Sequence, residues 1–375
     1  MARFAQRLKM RLDRSDGRML LFVLGVKVLL FAFGVAVVCV ASNRDLKPAE
    51  TFYSIWNHWD APHYLSLAEH GYQSTGQQRY LLVFFPLFPA LVRLLAPLCG
   101  GYSAGALCLS TIASFVLAVV LRRLVALDDP ALGESTVFLL FVFPTAFFLH
   151  IGYTESLFLA LTLGAFLAAR CDKWWLAGVL GALAGLTRIN ALVLIPALAM
   201  EAWWAYRRER RWRADWLWIG LPLLGLAAYL GLNQIVGGQP FRFLDYEAAN
   251  WYRHLAWPWT GMLKTWDWMG EHGPAEAHMS GLEELLFLFI GLVASLVAWL
   301  RLRPAYAVWM TGNWLLFACQ SFLMSVPRYT LTLFPLFVLL AQLAKNRLIG
   351  ALLIVWSLLF FALFASQFVQ GLWAF

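Results

Sequence analysis

The sequence predicts an all-α polytopic membrane protein, and three observations support this prediction. Hydrophobic residues make up 61% of the chain and charged residues only 13%, whereas soluble domains carry about 25% charged residues. Long apolar runs alternate with short basic loops. The net charge of +8 comes from those scattered loops, which argues against a nucleic-acid-binding face. The chain is therefore expected to form one integral-membrane domain over residues 1–375.

Apolar runs of about 20 residues are long enough to cross a bilayer as helices. With the basic loops as boundaries, the sequence predicts eleven spans, at 19–41, 103–121, 134–150, 152–170, 174–187, 189–206, 214–232, 282–300, 304–323, 329–344 and 348–366. Most Lys and Arg residues fall in alternate loops, and the positive-inside rule places those loops in the cytoplasm. The N-terminus is then cytoplasmic and the C-terminus lies outside.

Two predicted outer segments, 42–102 and 233–281, are too long to be simple turns. Within the first, the apolar run 81–97 contains Pro86, Pro89 and Pro97. A crossing by this run would move every later basic loop to the outer side. We therefore expect the run to lie along the outer surface or to enter the membrane without crossing it.

Ionisable residues are concentrated in the stretch "WNHWDAPHYLSLAEHGY", residues 56–72. Asp60 precedes Pro62, and Gly71 closes the stretch, a pattern typical of a short helix with its cap residues. Three roles for Asp60 follow: a helix cap, a general base at the outer membrane surface, or one of a set of metal ligands. The set would comprise His58, Asp60, His63 and His70, whose spacing matches no standard zinc site.

Other polar residues stand at predicted membrane depth, where ionisable groups mark functional sites by default. Glu155 is interpreted as a buried partner for Arg188 or a tyrosine hydroxyl, with direct chemistry as the alternative. Arg188, Asn190 and Arg328 lie at predicted outer helix ends, where a guanidinium suits a phosphate. For Arg328 the alternative is contact with lipid phosphates at the membrane surface.

The residues of four segments resemble the PIG-V family, the second mannosyltransferase of glycosylphosphatidylinositol-anchor synthesis, and its prokaryotic relatives. "HWDAPHYLSLAEHGY" followed by "FFPLFP" is similar to the family's first-loop signature. "FPTAFFLHIGYTESLFLALT", "GLTRINA" and "PRYTLTLFPLF" are similar to its later segments, with Thr154, Ile189 and Ala191 as departures. The resemblance identifies the chain as a prokaryotic PIG-V-like protein.

The resemblance implies an inverting GT-C glycosyltransferase whose donor is a sugar, mannose first of all, on a polyprenyl phosphate. Asp60 would be the catalytic base, and Arg328 and Arg188 would bind the donor phosphate. The implied supporting residues are Trp59, His63, Tyr64, Glu69, His70, Tyr153, Glu155, Asn190 and Tyr329.

The implied setting is a bacterial inner membrane with the active site on the outer face. The expected partners are the lipid-linked donor, a lipid or glycan acceptor and membrane lipids, with no nucleic acid. No metal or other cofactor is expected, because arginines can stabilise a phosphate leaving group; a divalent cation bound by the histidines is the open alternative. Two other classes stay open: a lipid or sugar transporter or flippase, and an assembly subunit in which Asp60 only caps a helix.

Overall fold

The computed structural model describes residues 12–42 and 52–375, and its regular structure is helical. The longer α-helices are α1 (Arg14–Ser42), α2 (Ala61–His70), α3 (Leu87–Cys99), α4 (Tyr102–Ala126), α5 (Gly133–Phe141), α6 (Glu155–Arg170), α7 (Trp174–Gly185), α8 (Leu194–Glu209), α9 (Pro222–Gly237), α10 (Arg242–Trp251), α11 (Pro258–Glu271), α12 (Glu283–Arg301), α13 (Pro304–Ala318), α14 (Phe334–Leu343) and α15 (Arg347–Val369). Within the described residues, β pairing is limited to one bridge between Leu255 and Gln320. The all-α prediction is confirmed.

Short helical turns connect several of these helices. They are the 3₁₀ helices Gln77–Val83, Ala146–Leu149, Ile189–Val193, Ala214–Gly220 and Thr330–Thr332, the four-residue α-helices Pro274–Ala277 and Val326–Tyr329, and the π-helical turn His278–Leu282. Several of these turns extend a neighbouring α-helix, so that the continuous helical segments are longer than the α-helices alone.

Six helical segments in the described part of the chain are long and apolar enough to cross a membrane. They are Arg14–Ala41, Tyr102–Ala126, Ile189–Glu209, Ala214–Gly237, Pro274–Arg301 and Arg347–Val369. The number rises to eight if each of two bent helix pairs forms one span. The membrane class predicted from composition is confirmed, and these six to eight candidate spans compare with the eleven that the sequence predicts.

Five predicted spans do not coincide with one of these six segments, and one of the five, 329–344, falls in the bent pair Val326–Thr332 and Phe334–Leu343. The runs 134–150, 152–170, 174–187, 304–323 and 329–344 hold α5, α6, α7, α13 and α14, which have 9, 16, 12, 15 and 10 residues. In the first run, Pro144 separates α5 from the 3₁₀ turn Ala146–Leu149, whose residues are all buried. Helices that are apolar all round can be buried among other helices instead of facing lipid. Burial of this kind explains why apolar length predicts more spans than the six to eight candidates among the described residues.

The proline-rich run of the first outer segment folds as a sharply bent pair. The 3₁₀ helix Gln77–Val83 and α3 meet at 111°. Gly105 lets α3 pack closely on α4, because a Cβ there would lie 3.1 Å from the backbone nitrogen of Ala96. A broken span or a re-entrant loop would have this bend, so the predicted re-entrant placement fits the geometry.

A group of polar side chains, here called the Arg170 cluster, joins the last residue of α6 to three other segments. Its members are Asp128, Arg170, Glu201, Arg303 and Tyr306. Arg170 donates from both terminal nitrogens to Asp128, at 2.9 and 3.0 Å. Glu201 lies 3.3 Å from Nε of Arg170 and accepts from Arg303 at 2.5 Å. This cluster fixes the C-terminal end of α6.

Candidate active site

Asp60 stands immediately before α2 in a loop fastened to the end of the chain. Trp59 has a left-handed φ of 57°, and its indole N–H donates to the backbone oxygen of Leu372 at 3.1 Å. α2 has Pro62 in its first turn, and Gly71 follows its last residue with a φ of 74°. The helix predicted between Pro62 and Gly71 is therefore confirmed.

The Asp60 carboxylate does not cap α2. Asp60 has a helical backbone, with φ −75° and ψ −24°, and its side chain makes no capping hydrogen bond. An N-cap residue typically has an extended backbone, which directs its side-chain oxygen to the free amides of the first turn. The capping interpretation is wrong for this reason. The carboxylate faces Arg328 instead, whose Nη1 donates to Oδ2 of Asp60 at 2.6 Å.

Asp60, Glu155, Arg188 and Arg328 form one group of paired charges, here called the Asp60 cluster. Nε of Arg328 donates to Oε1 of Glu155 at 2.6 Å, and Nη1 of Arg188 donates to the same oxygen at 2.5 Å. The Glu155 side chain is fully buried and that of Arg328 is 5% exposed, whereas 26% of the Asp60 side chain is exposed. The cluster is a buried line of charges whose accessible end is Asp60.

The short distances identify these contacts as charge-assisted hydrogen bonds. Buried charges are tolerated when they are paired in this way. The predicted pairing of Glu155 with Arg188 is present. The structure also brings Arg328 and Asp60 to this pair, although these two residues are 268 positions apart in the sequence.

Residues 31–207, which contain Asp60, Glu155 and Arg188, match the family model described as Mannosyltransferase (PIG-V). This part of the chain is similar to the PIG-V family. The mouse protein GPI alpha-1,6-mannosyltransferase 2 is 31% identical over 202 residues, which cover 51% of this chain and 39% of the mouse protein. The human protein of the same name is 33% identical over 154 residues, which cover 38% of this chain and 30% of the human protein. The chain thus matches less than half the length of these PIG-V relatives.

Within the PIG-V match, Tyr153 connects the Asp60 loop to the cluster. Its hydroxyl donates to the backbone oxygen of His58 at 2.8 Å and accepts from the backbone nitrogen of Asp60 at 3.2 Å. The guanidinium of Arg328 lies 4.6 Å from the centre of the same ring, within the range of a cation–π contact. The buried ring of Tyr153 therefore positions both partners of the Asp60–Arg328 pair.

Other aromatic rings line the cluster. Arg328 also lies 5.0 Å from the ring centre of Phe148, and Arg188 lies 5.1 Å from that of Tyr329 and 5.9 Å from that of Phe158. Aromatic faces attract guanidinium groups without using their hydrogen-bond donors. The N–H groups of these guanidiniums therefore remain available to bond carboxylates and, in a complex, a ligand.

Arg328 lies outside the PIG-V match and is held in place by Glu284. The two carboxylate oxygens of Glu284 accept from the backbone nitrogens of Ser325 and Val326, each at 2.7 Å. Ser325 has a left-handed φ of 64°, which turns the chain into the short helix bearing Arg328. Sequence reasoning missed Glu284, because an acidic residue at the start of an apolar run is also typical of an ordinary helix N-terminus.

Three of the predicted supporting residues pack beside the cluster. Tyr64 is buried with its ring 6.1 Å from that of Tyr153. Burial lowers the pKa of His63 and outweighs the opposing attraction of Asp60, which keeps this imidazole neutral at pH 7. Asn190 donates to Asn313 of α13 at 2.9 Å. Asn313 is a second residue that the sequence did not indicate.

The remaining predicted residues are not brought to the cluster. Glu69 and His70 are exposed at the end of α2 and lie 3.7 Å from each other. His58 packs against Phe368 of α15, with ring centres 5.8 Å apart. Over the described ranges, no group of three or more His, Cys, Asp or Glu side chains is arranged to hold a metal ion. The interpretation of His58, Asp60, His63 and His70 as one metal-ligand set is therefore wrong.

The second predicted outer segment contributes charges that the sequence analysis did not single out. Nη1 of Arg253 donates to the hydroxyl of Tyr329 at 3.2 Å. Glu247 lies 3.6 Å from Arg253. The sequence feature that could have indicated Arg253 is its position in an outer segment rich in aromatic and acidic residues.

Proposed function

We propose that the protein is a membrane mannosyltransferase that takes its sugar from a polyprenyl-phosphate donor. The observation that carries the proposal is the Asp60 cluster, an accessible carboxylate bonded to Arg328, which shares Glu155 with Arg188, in a chain partly matched by mannosyltransferases. A carboxylate is a suitable general base. Arginine suits the phosphate of a leaving group, because its fork of N–H donors matches phosphate oxygens.

In the proposed reaction, Asp60 accepts the proton of an acceptor hydroxyl while the hydroxyl oxygen attacks the anomeric carbon. The glycosidic bond forms as the carbon–oxygen bond to the phosphate breaks, and the electron pair leaves with the polyprenyl phosphate. Attack from the side opposite the leaving group inverts the anomeric centre. Arg188 and Arg328 stabilise the negative charge that develops on the phosphate.

The pairing of Asp60 with Arg328 adds a condition to this reaction. While Arg328 occupies it at 2.6 Å, Oδ2 of Asp60 is not available to a proton from the acceptor. A donor phosphate competes with Asp60 for the same guanidinium. Donor binding therefore releases the base, which links the presence of the sugar to the ability to accept a proton.

A groove beside α1 supports a substrate with a lipid chain. Its volume is about 680 Å³, and its lining is apolar apart from Lys27 and a few hydroxyl or thiol groups. A smaller cavity shares Tyr53 and Leu107 with the groove and reaches Ala61, the neighbour of Asp60. Hydrocarbon chains are stabilised by apolar surroundings, and this groove leads toward the proposed base.

The proposal includes the orientation and the setting. We place the basic loops in the cytoplasm and Asp60 at the outer face of a bacterial inner membrane, following the positive-inside rule. The acceptor is a lipid or a glycan. The mouse and human relatives are named GPI alpha-1,6-mannosyltransferase 2, which supports mannose as the sugar.

We propose that the reaction needs no metal, because the leaving group is a phosphate whose charge the two arginines stabilise. Transfer is then expected to continue at the same rate in a chelator such as EDTA. Loss of transfer in EDTA with recovery on adding one divalent ion would contradict this part of the proposal.

The deciding experiment follows labelled mannose in liposomes that contain the purified full chain and the total lipids of the source organism. With polyprenyl-phosphate mannose we expect the label to enter a new product and polyprenyl phosphate to be released. GDP-mannose is expected to yield none of this product. Product from GDP-mannose alone would refute the donor assignment, and movement of intact donor across the bilayer without a new bond would favour a flippase.

A further inference from the structure

Arg253 occupies a fixed position although it belongs to the second predicted outer segment. Tyr252, just before it, has a left-handed φ of 57° that ends α10. The next residues are fastened to the segment after α13: the nitrogen of Ser321 donates to the oxygen of His254 at 2.9 Å, and that of Ala256 donates to the oxygen of Cys319 at 3.1 Å. These backbone hydrogen bonds therefore hold Arg253 where its side chain contacts Tyr329.

The guanidinium of Arg253 is poorly satisfied for a group that is only 13% exposed. Its hydrogen bond to the Tyr329 hydroxyl is 3.2 Å long. Its Nε is buried and has no partner in the part of the chain that the structure describes. Glu247, at 3.6 Å, is beyond the distance of a good hydrogen bond. Arg328, by contrast, has two carboxylate contacts of 2.6 Å.

Glu247 is a weak counter-ion for Arg253. Burial raises the pKa of Glu247 above its ordinary value, and the attraction of Arg253 does not reverse the shift. The repulsion from Asp60 acts in the same direction as burial. A buried guanidinium with free donors and a weak counter-ion is stabilised by any anion that reaches it.

The ring of Tyr329 brings Arg253 and Arg188 into one neighbourhood. Their guanidinium carbons lie 5.7 and 5.1 Å from its centre. Every hydrogen bond that the Arg188 side chain makes within residues 12–42 and 52–375 comes from its Nη1 atom. Two cations with unused donors therefore border the same aromatic side chain, beside the Asp60 cluster.

We propose that Arg253 is a ligand of the donor phosphate, so that the second outer segment completes the phosphate subsite begun by Arg188 and Arg328. This inference rests on the proposed function. It assigns a binding role to a residue outside the stretch 31–207 that matches the family. The ligand chemistry is a phosphate ester carried by a single polyprenyl chain.

The test measures binding without turnover. Purified full chain is titrated with a polyprenyl phosphate that carries no sugar, and bound lipid is counted by native mass spectrometry. Loss of a charge-assisted contact worth about 1.5–3 kcal/mol predicts a Kd about 10- to 100-fold higher for Arg253→Ala. Arg253→Lys keeps the charge and is expected to lie between this variant and the wild type.

Two controls separate ligand binding from structural support. Arg242→Ala removes an equal charge from α10, where Arg242 pairs with Asp245 at 3.0 Å, and is expected to leave the Kd unchanged. Tyr329→Phe removes the hydrogen bond to Arg253 but keeps the ring, and is expected to raise the Kd by less than Arg253→Ala does. If Tyr329→Phe reproduced the loss seen with Arg253→Ala, Arg253 would only position Tyr329 and the proposal would be wrong.

The remaining outcomes distinguish this inference from the proposed function. Normal affinity and an unchanged donor KM in an active Arg253→Ala enzyme would refute the subsite and leave the transferase standing. If the wild-type chain transferred no sugar but its lipid binding still depended on Arg253, the transferase proposal would fail and the phosphate subsite would stand. Equal displacement of the probe by phosphatidylglycerol would show a general anionic-lipid site and contradict the assignment to the donor.

Discussion

Helix α6 has a cluster of charges at each end, and the two clusters use the same residue types in different ways. Its first residue, Glu155, belongs to the Asp60 cluster, and its last residue, Arg170, belongs to the Arg170 cluster. The two residues are roughly 22 Å apart along the helix axis, at about 1.5 Å per residue. Each cluster joins segments that are distant in the sequence.

The clusters differ in how many side-chain donors and acceptors of Arg170, Glu155 and Arg188 have hydrogen-bond partners. In the Arg170 cluster, both terminal nitrogens of Arg170 bond Asp128 and its Nε lies 3.3 Å from Glu201. In the Asp60 cluster, Oε2 of Glu155 has no partner within the described residues, and Arg188 leaves donors unused. All the donor nitrogens of Arg170 face carboxylates, although Nε of Arg303 in the same cluster has no partner within the described residues. Arg188 of the Asp60 cluster keeps donors that a ligand can use.

The largest expected effect is that of Asp60→Asn on the rate of transfer. Removal of a positioned general base slows a reaction by about 100- to 10,000-fold. The amide keeps the shape of the side chain but removes the charge beside Arg328, so the free energy of unfolding is expected to fall by about 1–3 kcal/mol. Initial rates and unfolding are measured together, with Asp267→Asn as the control because Asp267 is exposed in α11. Near-normal transfer by folded Asp60→Asn would remove the base assignment.

Neutralising one carboxylate of each cluster sharpens the comparison. Glu155→Gln leaves two arginines short of a counter-ion, so its free energy of unfolding is expected to fall by about 3–5 kcal/mol, with slower turnover per folded molecule. Asp128→Asn affects a partly exposed group and is expected to lose about 1–3 kcal/mol with turnover unchanged. Equal effects on turnover would show that the two clusters do not differ in function.

A smaller effect is expected for Tyr153→Phe, which keeps the ring over Arg328 and removes the hydroxyl between His58 and Asp60. A net hydrogen bond contributes about 1 kcal/mol, which corresponds to a roughly 5-fold lower kcat. The donor KM is expected to stay the same, because the arginines are untouched. A change in donor KM without a change in kcat would contradict the positioning of Asp60 by Tyr153.

The smallest effect is expected for Glu69→Gln, because Glu69 and His70 form an exposed pair outside both clusters. Exposed ion pairs contribute about 0–1 kcal/mol to the free energy of unfolding, so this free energy is expected to fall by no more than about 1 kcal/mol. The rate of transfer is expected to match the wild type within about twofold. A large loss of transfer would restore Glu69 to the site, as the family resemblance implies.

The sequence alone determined the helical membrane class, the short helix after Asp60 and most of the charged residues of the candidate site. These features depend on local signals: apolar composition, Pro62 and Gly71 at the ends of α2, and ionisable residues where they are rare. Only the tertiary structure decided how the charges pair. It replaced the predicted cap with the Asp60–Arg328 bond, brought in Glu284 and Arg253, and gave six to eight candidate spans in the described residues where the sequence predicts eleven. The physical reason is that pairing and burial depend on which distant segments meet, and local sequence carries no record of those contacts.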